Sequence, residues 1–321
     1  MTTLLMNFEP GTLSRAQIEH VQATAPHMKL LVTHDPTEIE ATIDTIEIAA
    51  GGFPRALLAK AHNLRWLQQW GAGADWLMRH PEAVDMDFVL TNASGVHAIP
   101  ISEHIIALIL AFARGLHHAI RAQSRHEWSS EAEPPGIFEV TGKTMLLIGV
   151  GAIGARTARL ASALGMHVLG VRRDPSVSVE GVASMSGPDR LSELLPQADF
   201  VVLTVPLTHR TSGMIGEYEL NLMKSTAYII NIGRGGTIDE AALVQALNNG
   251  KIAGAGMDVF ETEPLPGNSL LWDMDNVIIT AHYSGRTPHY DERAFDIFLD
   301  NLKRYQAGLP LRNVVNKRLG Y

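Results

Sequence analysis

The sequence predicts an α/β protein in which helices cover parallel β-sheets. Apolar runs alternate with helical patterns along the chain, which indicates β–α–β units. In the second half, the runs are apolar at nearly every position, as expected of strands that are buried on both faces. A length of 321 residues corresponds to about two domains.

Composition and charge exclude several classes of protein. The chain has no cysteine, which excludes disulfide scaffolds, cysteine-based zinc sites, iron–sulfur clusters and thiol nucleophiles. Its 26 Lys and Arg against 34 Asp and Glu leave a net charge of -8, so we expect no nucleic-acid partner. The longest apolar run, residues 105–113, is too short to cross a bilayer, and the N-terminus lacks a targeting pattern. We therefore expect a cytoplasmic protein without a membrane partner or a bound metal.

The first half of the chain predicts three strands and two helices. Short apolar runs predict the strands, at residues 4–8, 29–33 and 64–70. Ser14 and Gln17 have the spacing of a capping box, which predicts the start of a helix. The third strand ends in a small-residue segment at residues 71–75, and residues 101–125 predict one long helix.

The second half follows a surface loop that contains residues 133–136 and shows a sharper pattern. Six apolar runs predict strands, at residues 144–148, 166–171, 200–204, 227–231, 252–259 and 277–280. Thr237 is the predicted cap of a helix that stops at Gly250. The last helix is predicted to open at Thr287, with a proline in its first turn, and to end near Gly308.

A glycine-rich motif follows the first of these six strands. Gly149, Gly151 and Gly154 form the pattern G-x-G-x-x-G at the mouth of a helix. The first glycine permits a tight turn, the second lets a pyrophosphate approach the backbone, and the third lets helix and strand pack closely. The helix N-terminus adds free N–H groups and the positive end of its dipole. The motif therefore predicts a dinucleotide site; the alternative is a glycine-rich turn without a function.

The strand at residues 166–171 bears on the choice of dinucleotide. It ends at Arg172 and Arg173, about 20 residues past the glycines, where NAD-binding units usually carry an acid on the ribose 2′-hydroxyl. An acid there would repel a 2′-phosphate, whereas an arginine offers that phosphate a planar, charged fork. We therefore expect NADP(H) to be preferred, while NAD(H) remains possible. The alternative is that both arginines face solvent and Asp174 takes the ribose.

Polar residues follow the later strands, at the edge where the cofactor is expected. They are Arg234 after one strand, Asp258 and Glu263 at the next, and His282 after the last. An arginine can hold a carboxylate and polarise a carbonyl, and a histidine can protonate the carbonyl oxygen as hydride arrives at carbon. A nearby carboxylate would favour the imidazolium and orient the ring. The set fits reduction of a 2-keto acid. Taken singly, Arg234 could be a solvated turn residue, Glu263 a loop charge and His282 a strand-end histidine.

With these motifs, the chain resembles the D-isomer-specific 2-hydroxyacid dehydrogenases over nearly its whole length. The matching segments are residues 149–154, 231–235, 256–264 and 281–285, together with 71–75 and 92–104. The resemblance implies two doubly wound domains: a Rossmann cofactor domain at residues 97–289, inserted into a smaller flavodoxin-like substrate domain made of residues 1–96 and 290–321. The helix after Ile101 resembles the element through which these proteins dimerise, so we expect a homodimer.

The resemblance also implies roles for individual residues. Arg234 would bind the substrate carboxylate and carbonyl oxygen, His282 would be the acid/base with Glu263 as its partner, and Asp258 would hold the nicotinamide carboxamide. The other implied cofactor contacts are Gly149, Gly151, Ala152, Ile153, Gly154, Arg172, Arg173, Val205, Pro206, Thr211, Ile232, His282, Ser284 and Gly285. The implied substrate contacts are Trp70, Gly71, Ala72, Gly73, Arg234, His282 and Tyr283.

Together these inferences predict an NADPH-dependent reductase that converts small 2-keto acids to D-2-hydroxy acids. Arg172 stands where many relatives carry an acid, so the chain resembles the NADP-using glyoxylate and hydroxypyruvate reductases more than the NAD-using members. Formate dehydrogenases pair the histidine with glutamine, and Glu263 argues against that activity. A nucleotide-sensing corepressor or scaffold of the same fold stays as the alternative.

The particular keto acid is left open by the sequence. Large aromatic side chains either shape its pocket or pack in the core or an interface. The candidates are Trp70, Trp76, Trp128 and Tyr283.

Overall fold

The chain folds into two compact units in the computed structural model, which describes residues 1–128 and 136–321. Most of the predicted loop at residues 133–136 lies outside the described residues. The first unit, here called the terminal unit, comprises Met1–Val96 and Pro288–Tyr321. The second, the central unit, comprises His97–Thr287. The terminal unit resumes at Pro288. The domain boundary expected from the sequence is residue 290.

The helices of the described residues alternate with strands, as the sequence pattern indicates. In chain order they are α1 (Arg15–Thr24), α2 (Pro36–Thr42), α3 (Ala98–Ala113), α4 (Leu116–Ser124), α5 (Ala152–Ala163), α6 (Leu191–Leu194), α7 (Glu217–Leu222), α8 (Glu240–Asn248) and α9 (Tyr290–Gln306). The predicted capping box opens α1: the Ser14 hydroxyl accepts from Gln17 N, and the Gln17 side chain accepts from Ser14 N.

The terminal unit is built on five parallel strands. They are β1 (Thr3–Asn7), β2 (Lys29–Val32), β3 (Ile46–Gly51), β4 (Trp66–Gln69) and β5 (Val89–Thr91). Their order across the sheet is β2-β1-β3-β4-β5, the flavodoxin-like arrangement. Successive side chains of a strand point to opposite faces. Accordingly, Leu4 packs with Phe298 of α9 on one face, and Leu5 packs with Ile39 of α2 on the other.

The described part of the central unit contains seven parallel strands. They are β6 (Thr144–Ile148), β7 (His167–Val171), β8 (Ser184–Ser186), β9 (Phe200–Leu203), β10 (Tyr228–Asn231), β11 (Gly254–Met257) and β12 (Val277–Ile279). Their order is β12-β11-β10-β9-β6-β7-β8, the Rossmann arrangement with an additional strand at one edge. Leu147 lies in one apolar cluster with Ile105 of α3 and Ala158 of α5, and Leu146 lies in another with Leu243 of α8. The predicted fold class is confirmed.

The prediction of one helix over residues 101–125 is wrong. α3 ends at Ala113, and Gly115 has a φ of +64°, a left-handed conformation that breaks the helix before α4 begins. The two helices meet at a bend of 73°. Within the part of the chain that the structure describes, no single helix is long and apolar enough to cross a membrane.

Other element boundaries also differ from the sequence expectations. Asp239, not Thr237, caps α8, because the Asp239 side chain accepts from Ala242 N at 2.9 Å. α9 begins at Tyr290, later than the Thr287 opening that was expected. Three strands were not predicted, namely β3, β5 and β8. β5 and β8 have three residues each and β3 ends in Ala-Ala-Gly, so pairing with neighbouring strands decides their conformation.

Candidate active site

The candidate active site lies at the carboxyl edge of the central sheet. All seven strands are parallel, so the loops that follow them lie along the same edge. The strand order reverses between β6, which continues to β7, and β9 on its other side. In open α/β sheets, ligands bind outside such a switch point. The loop that follows β6 is the predicted glycine motif.

The first and third glycines of the motif are required by close packing. Gly149 has a φ of +102°, and a Cβ there would lie 2.8 Å from Val205 Cγ1 in the loop after β9. A Cβ on Gly154 would overlap the carbonyl oxygen of Gly149. Both positions therefore need glycine for the protein's own packing, as the motif predicts.

The second glycine is open to a ligand. Gly151 is the N-cap of α5, and none of the side chains that the structure describes caps that helix. Within residues 1–128 and 136–321, no atom outside its chain neighbours lies within 4 Å of a Cβ built on Gly151. Backbone N–H groups at an uncapped helix N-terminus favour an anion, and the space at Gly151 suits a pyrophosphate. The residues present therefore fit a dinucleotide cofactor.

Replacing two of these glycines should separate binding from folding. Gly151 has φ −92° and ψ −154°, which alanine tolerates, so Gly151→Ala should fold normally and raise the dissociation constant of NADPH by about tenfold or more. Gly154→Ala should lose about 1–3 kcal/mol of stability, because its Cβ overlaps Gly149 O. Thermal unfolding and NADPH fluorescence titration measure both effects. Equal NADPH affinity in Gly151→Ala and the wild type would contradict a phosphate at this glycine.

The residues expected at the ribose end follow β7. Arg172 is half-buried and its N–H donates to Ser186 O of β8 at 3.0 Å, while the next two residues are exposed. Asp174 Oδ1 accepts from the Ser176 hydroxyl at 2.6 Å and from Ser176 N at 3.1 Å. These two bonds lower the pKa of Asp174. Its carboxylate is thus engaged within its own turn.

The loops after β9 and β10 pack against each other through their backbones. Thr211 Oγ1 donates to Pro206 O at 2.6 Å, which closes the loop after β9 on itself. A Cβ on Gly233 would lie 2.7 Å from Val205 O of that loop. Ile232 is buried beneath the junction. The predicted cofactor contacts of these two loops therefore lie next to the glycine motif.

Arg234 is held in a turn by buried polar contacts. The side chain of Asn231, which is fully buried, accepts from Gly233 N at 3.1 Å and donates to Arg234 O at 3.0 Å. The Thr237 hydroxyl donates to the same carbonyl at 2.7 Å. A Cβ on Gly235 would overlap the backbone of Phe260, so the turn also packs tightly against the segment after β11. The turn around Arg234 is therefore held mainly by buried neighbours, and Arg234 Nη1 adds one bond by donating to Gly233 O at 2.8 Å.

Glu263 and His282 form a direct pair. His282 Nδ1 lies 2.6 Å from Glu263 Oε2, and the other carboxylate oxygen accepts from Phe260 N at 3.0 Å. Both oxygens of Glu263 are thus occupied, one by the backbone and one by the ring. Because Nδ1 faces Glu263, Nε2 is the ring atom from which a proton can pass to a ligand.

His97, which precedes α3, lies close to both Arg234 and His282. Its Nδ1–H donates to Gly285 O at 3.1 Å, and a Cβ on Gly285 would lie 2.7 Å from that nitrogen. Burial lowers the pKa of His97, and the charges of Arg234 and His282 lower it further, against the opposite effect of the Gly285 bond. The structure therefore brings Arg234, Glu263 and His282 to one region, as the sequence predicts.

Asp258 is fully buried at the end of β11. Its carboxylate accepts from the Thr280 hydroxyl at 2.6 Å, from Tyr283 N at 3.1 Å and from Ser284 N at 3.1 Å. In this structure, the residue expected to hold the nicotinamide carboxamide therefore organises the segment that carries His282.

The aromatic substrate candidates have different surroundings. In the terminal unit, Trp70 Nε1 donates to Asp291 at 3.2 Å and its ring packs on Phe8, while Trp76 is buried in the core. Gln69 Nε2 donates to Gly71 O and Gly73 O, and Asn92 Nδ2 donates to Ala72 O at 2.7 Å. These contacts order the 71–75 segment, whose role toward substrate stays a prediction. Trp128 and Tyr283 are exposed.

Sequence reasoning assigned no role to two residues in this region, His104 and Thr280. The predicted strand at residues 277–280 includes Thr280, but β12 ends at Ile279. Thr280 is therefore the first residue beyond the carboxyl end of that strand. His104 shares a helical face with Ile101, Ile105 and Leu108 of the apolar core. A polar side chain on the buried face of a helix was the signal that could have identified it.

A doubly wound sheet with a glycine loop at its switch point defines a dinucleotide-binding protein of the dehydrogenase type. The model for the NAD-binding domain of D-isomer specific 2-hydroxyacid dehydrogenases matches residues 106–284. The chain belongs to this family.

Two similar curated proteins illustrate the range of names in this family. D-3-phosphoglycerate dehydrogenase of Methanocaldococcus jannaschii is 38% identical over 264 residues, which are 82% of this chain and 49% of that protein. The chain thus spans about half of that relative's length. Glyoxylate reductase of Korarchaeum cryptofilum is 35% identical over 264 residues, which are 81% of this chain and 78% of the relative.

Among solved structures, one similar protein is the NADPH-dependent glyoxylate/hydroxypyruvate reductase of Sinorhizobium meliloti in complex with NADP and sulfate. It has a TM-score of 0.81 and 27% sequence identity, and the match covers 100% of both chains.

Proposed function

We propose that this protein reduces small 2-keto acids to D-2-hydroxy acids with NADPH. The observation that carries the proposal is the 2.6 Å contact between His282 and Glu263, on the sheet edge that also bears the glycine motif and Arg234. Relatives named glyoxylate reductase and hydroxypyruvate reductase support the same substrate class.

The reaction divides between the arginine and the histidine. The Arg234 guanidinium binds the substrate carboxylate and draws electron density toward the carbonyl oxygen. A nicotinamide cofactor, when bound, would supply the hydride. His282, oriented by Glu263 through Nδ1, donates the proton on Nε2 to the carbonyl oxygen, which becomes the hydroxyl. Glu263 stabilises the imidazolium before the transfer and fixes the plane of the ring.

The preference for NADPH rests on the residues that follow β7. Arg172 stands at the strand end that faces the adenosine ribose in Rossmann folds. Asp174, the alternative ribose ligand, already accepts two hydrogen bonds from Ser176 at Oδ1, which leaves only Oδ2 for a ribose hydroxyl. The Sinorhizobium meliloti structure with bound NADP agrees with this preference.

A panel of keto acids tests both parts of the proposal. NADPH absorbance should fall on addition of glyoxylate, hydroxypyruvate or another small 2-keto acid, and kcat/KM for NADPH should exceed that for NADH. Arg172→Ala should lower the NADPH value by about tenfold to one-hundredfold and leave the NADH value within about twofold, since only a charge-assisted bond to the 2′-phosphate is lost.

Two results would contradict the proposal. Tight NADPH binding without turnover of any acid would refute the reductase, and equal kcat/KM for the two cofactors would refute the preference. Arg15→Ala removes a fully exposed arginine of the terminal unit and serves as the matched control. Its kinetics should equal those of the wild type.

A further inference from the structure

The segment that carries His282 has an unfavourable backbone. His282 has a φ of +52°, in the left-handed region that residues with a side chain rarely adopt. Such a conformation persists where surrounding contacts impose it, and it is concentrated at functional sites. The contacts that impose it here therefore bear on the placement of the imidazole.

Asp258 supplies most of these contacts. His282 N donates to the backbone carbonyl of Asp258 at 2.8 Å. The next two amides, of Tyr283 and Ser284, donate to the Asp258 carboxylate. Three consecutive N–H groups thus converge on one residue, which ties the turn around His282 to the end of β11. The rotation of the Asp258 carboxylate decides whether its amide bonds can form.

Thr280 and His104 set that rotation. The Thr280 hydroxyl donates its single proton to Asp258 Oδ1 at 2.6 Å. Its oxygen must therefore accept from His104 Nε2, which lies 3.1 Å away. Donation consequently runs in one direction, from His104 through Thr280 to Asp258. The neutral ring suffices for this bond, and burial lowers the pKa of His104 against the opposing charge of Asp258.

The imidazole of His104 also contacts the segment directly. It meets the Tyr283 ring edge to face, with centroids 6.0 Å apart. α3 therefore reaches the turn around His282 in two ways, through a hydrogen-bond chain and through a ring contact. No other polar contact of the His104 side chain is seen among the described residues.

We propose that His104 and Thr280 are positioning residues for the reaction, acting through Asp258 on His282. This role rests on the function proposed above and extends it to residues outside the arginine–glutamate–histidine set. These two hydrogen bonds hold the buried Asp258 carboxylate in the one orientation that accepts the Tyr283 and Ser284 amides. The left-handed turn at His282 then keeps the ring beside Glu263.

Matched substitutions separate positioning from packing. Thr280→Val keeps the side-chain shape but removes the hydroxyl, whereas Thr280→Ser keeps the hydroxyl and removes a methyl group. His104→Phe keeps a ring against Tyr283 but removes the donor. Thr280→Val and His104→Phe should each lower kcat by about tenfold or more, while Thr280→Ser stays within about threefold of the wild type. KM for NADPH should change much less than kcat.

A double-mutant cycle tests whether the two residues act in one chain. His104→Phe combined with Thr280→Val should lower kcat no further than the more severe single change, because breaking either bond releases the same carboxylate. Multiplicative losses would overturn the proposal, as would wild-type kcat in Thr280→Val.

A readout without turnover distinguishes failure of this proposal from failure of the proposed function. In protein labelled at histidine, the His282 imidazole signal is identified by its absence in His282→Gln. That signal should shift or broaden in Thr280→Val and keep its wild-type position in Thr280→Ser. An unchanged signal in Thr280→Val would overturn the positioning role. Lack of turnover by the wild type would refute the reductase instead, while the signals would still decide the positioning.

Discussion

His282→Gln is expected to lower kcat by about 10²–10⁴-fold while the dissociation constant of NADPH stays within about threefold. Glutamine can hydrogen-bond to Glu263 from the same position, but it cannot carry a transferable proton. The loss therefore falls on proton donation and not on the architecture. Steady-state kinetics with the best keto acid of the panel and a fluorescence titration of NADPH measure the two quantities.

Two further variants make this result specific. His62→Gln changes an exposed histidine of the terminal unit in the same way and should leave kcat unchanged. Glu263→Gln should give an intermediate loss, because it keeps the contact with Phe260 N and removes the charge that stabilises the imidazolium. Wild-type turnover in His282→Gln would refute the acid role.

Arg234→Ala is expected to damage turnover and substrate binding together. kcat should fall by about 10²–10³-fold, since the variant loses the cation that stabilises charge developing on the carbonyl oxygen. KM for the keto acid should rise as well, because the same guanidinium holds the substrate carboxylate. The turn should remain folded, because the variant loses only the bond from Arg234 Nη1 to Gly233 O and keeps those from Asn231 and Thr237 to the Arg234 carbonyl.

A conservative variant tests the geometry of this role. Arg234→Lys keeps the positive charge but loses the planar two-pronged donor, so it should recover part of the KM effect and little of kcat. Thermal unfolding should show the same midpoint for both variants and the wild type to within a few degrees. A rise in KM alone, with unchanged kcat, would mean that Arg234 binds substrate without polarising its carbonyl.

Much of the fold follows from local pattern. The strand β6 was predicted at its observed bounds, because an apolar run of this length that ends at a glycine is too short for a helix and favours a buried strand. The break at Gly115 was missed, since glycine inside an apolar helical pattern does not by itself indicate whether the helix continues. The sequences of β3, β5 and β8 predict strands only weakly, and pairing with neighbouring strands in the sheet determines their conformation.

The sequence by itself determined the class of chemistry. The residues after each apolar strand are set by chain order, and parallel strands bring those positions to one edge whatever the details of packing. Arg234, Glu263 and His282 could therefore be predicted from their places after β10, β11 and β12. The absence of cysteine excluded thiol nucleophiles and cysteine-bound metals from that chemistry.

Only the tertiary structure decided which partners each side chain meets. His104 and Thr280 are 176 residues apart and bond because α3 packs on the central sheet, with Leu108 and Phe112 against Gly256 of β11. Likewise, Asp258 meets the amides of Tyr283 and Ser284 only because the chain turns back after β12. Hydrophobic periodicity indicates which face of a helix or strand is buried, and burial of apolar surface does not depend on direction. A hydrogen bond, in contrast, requires two atoms about 3 Å apart at a defined angle. Whether two side chains meet this requirement depends on the folded chain, and it produces no repeating pattern in the sequence.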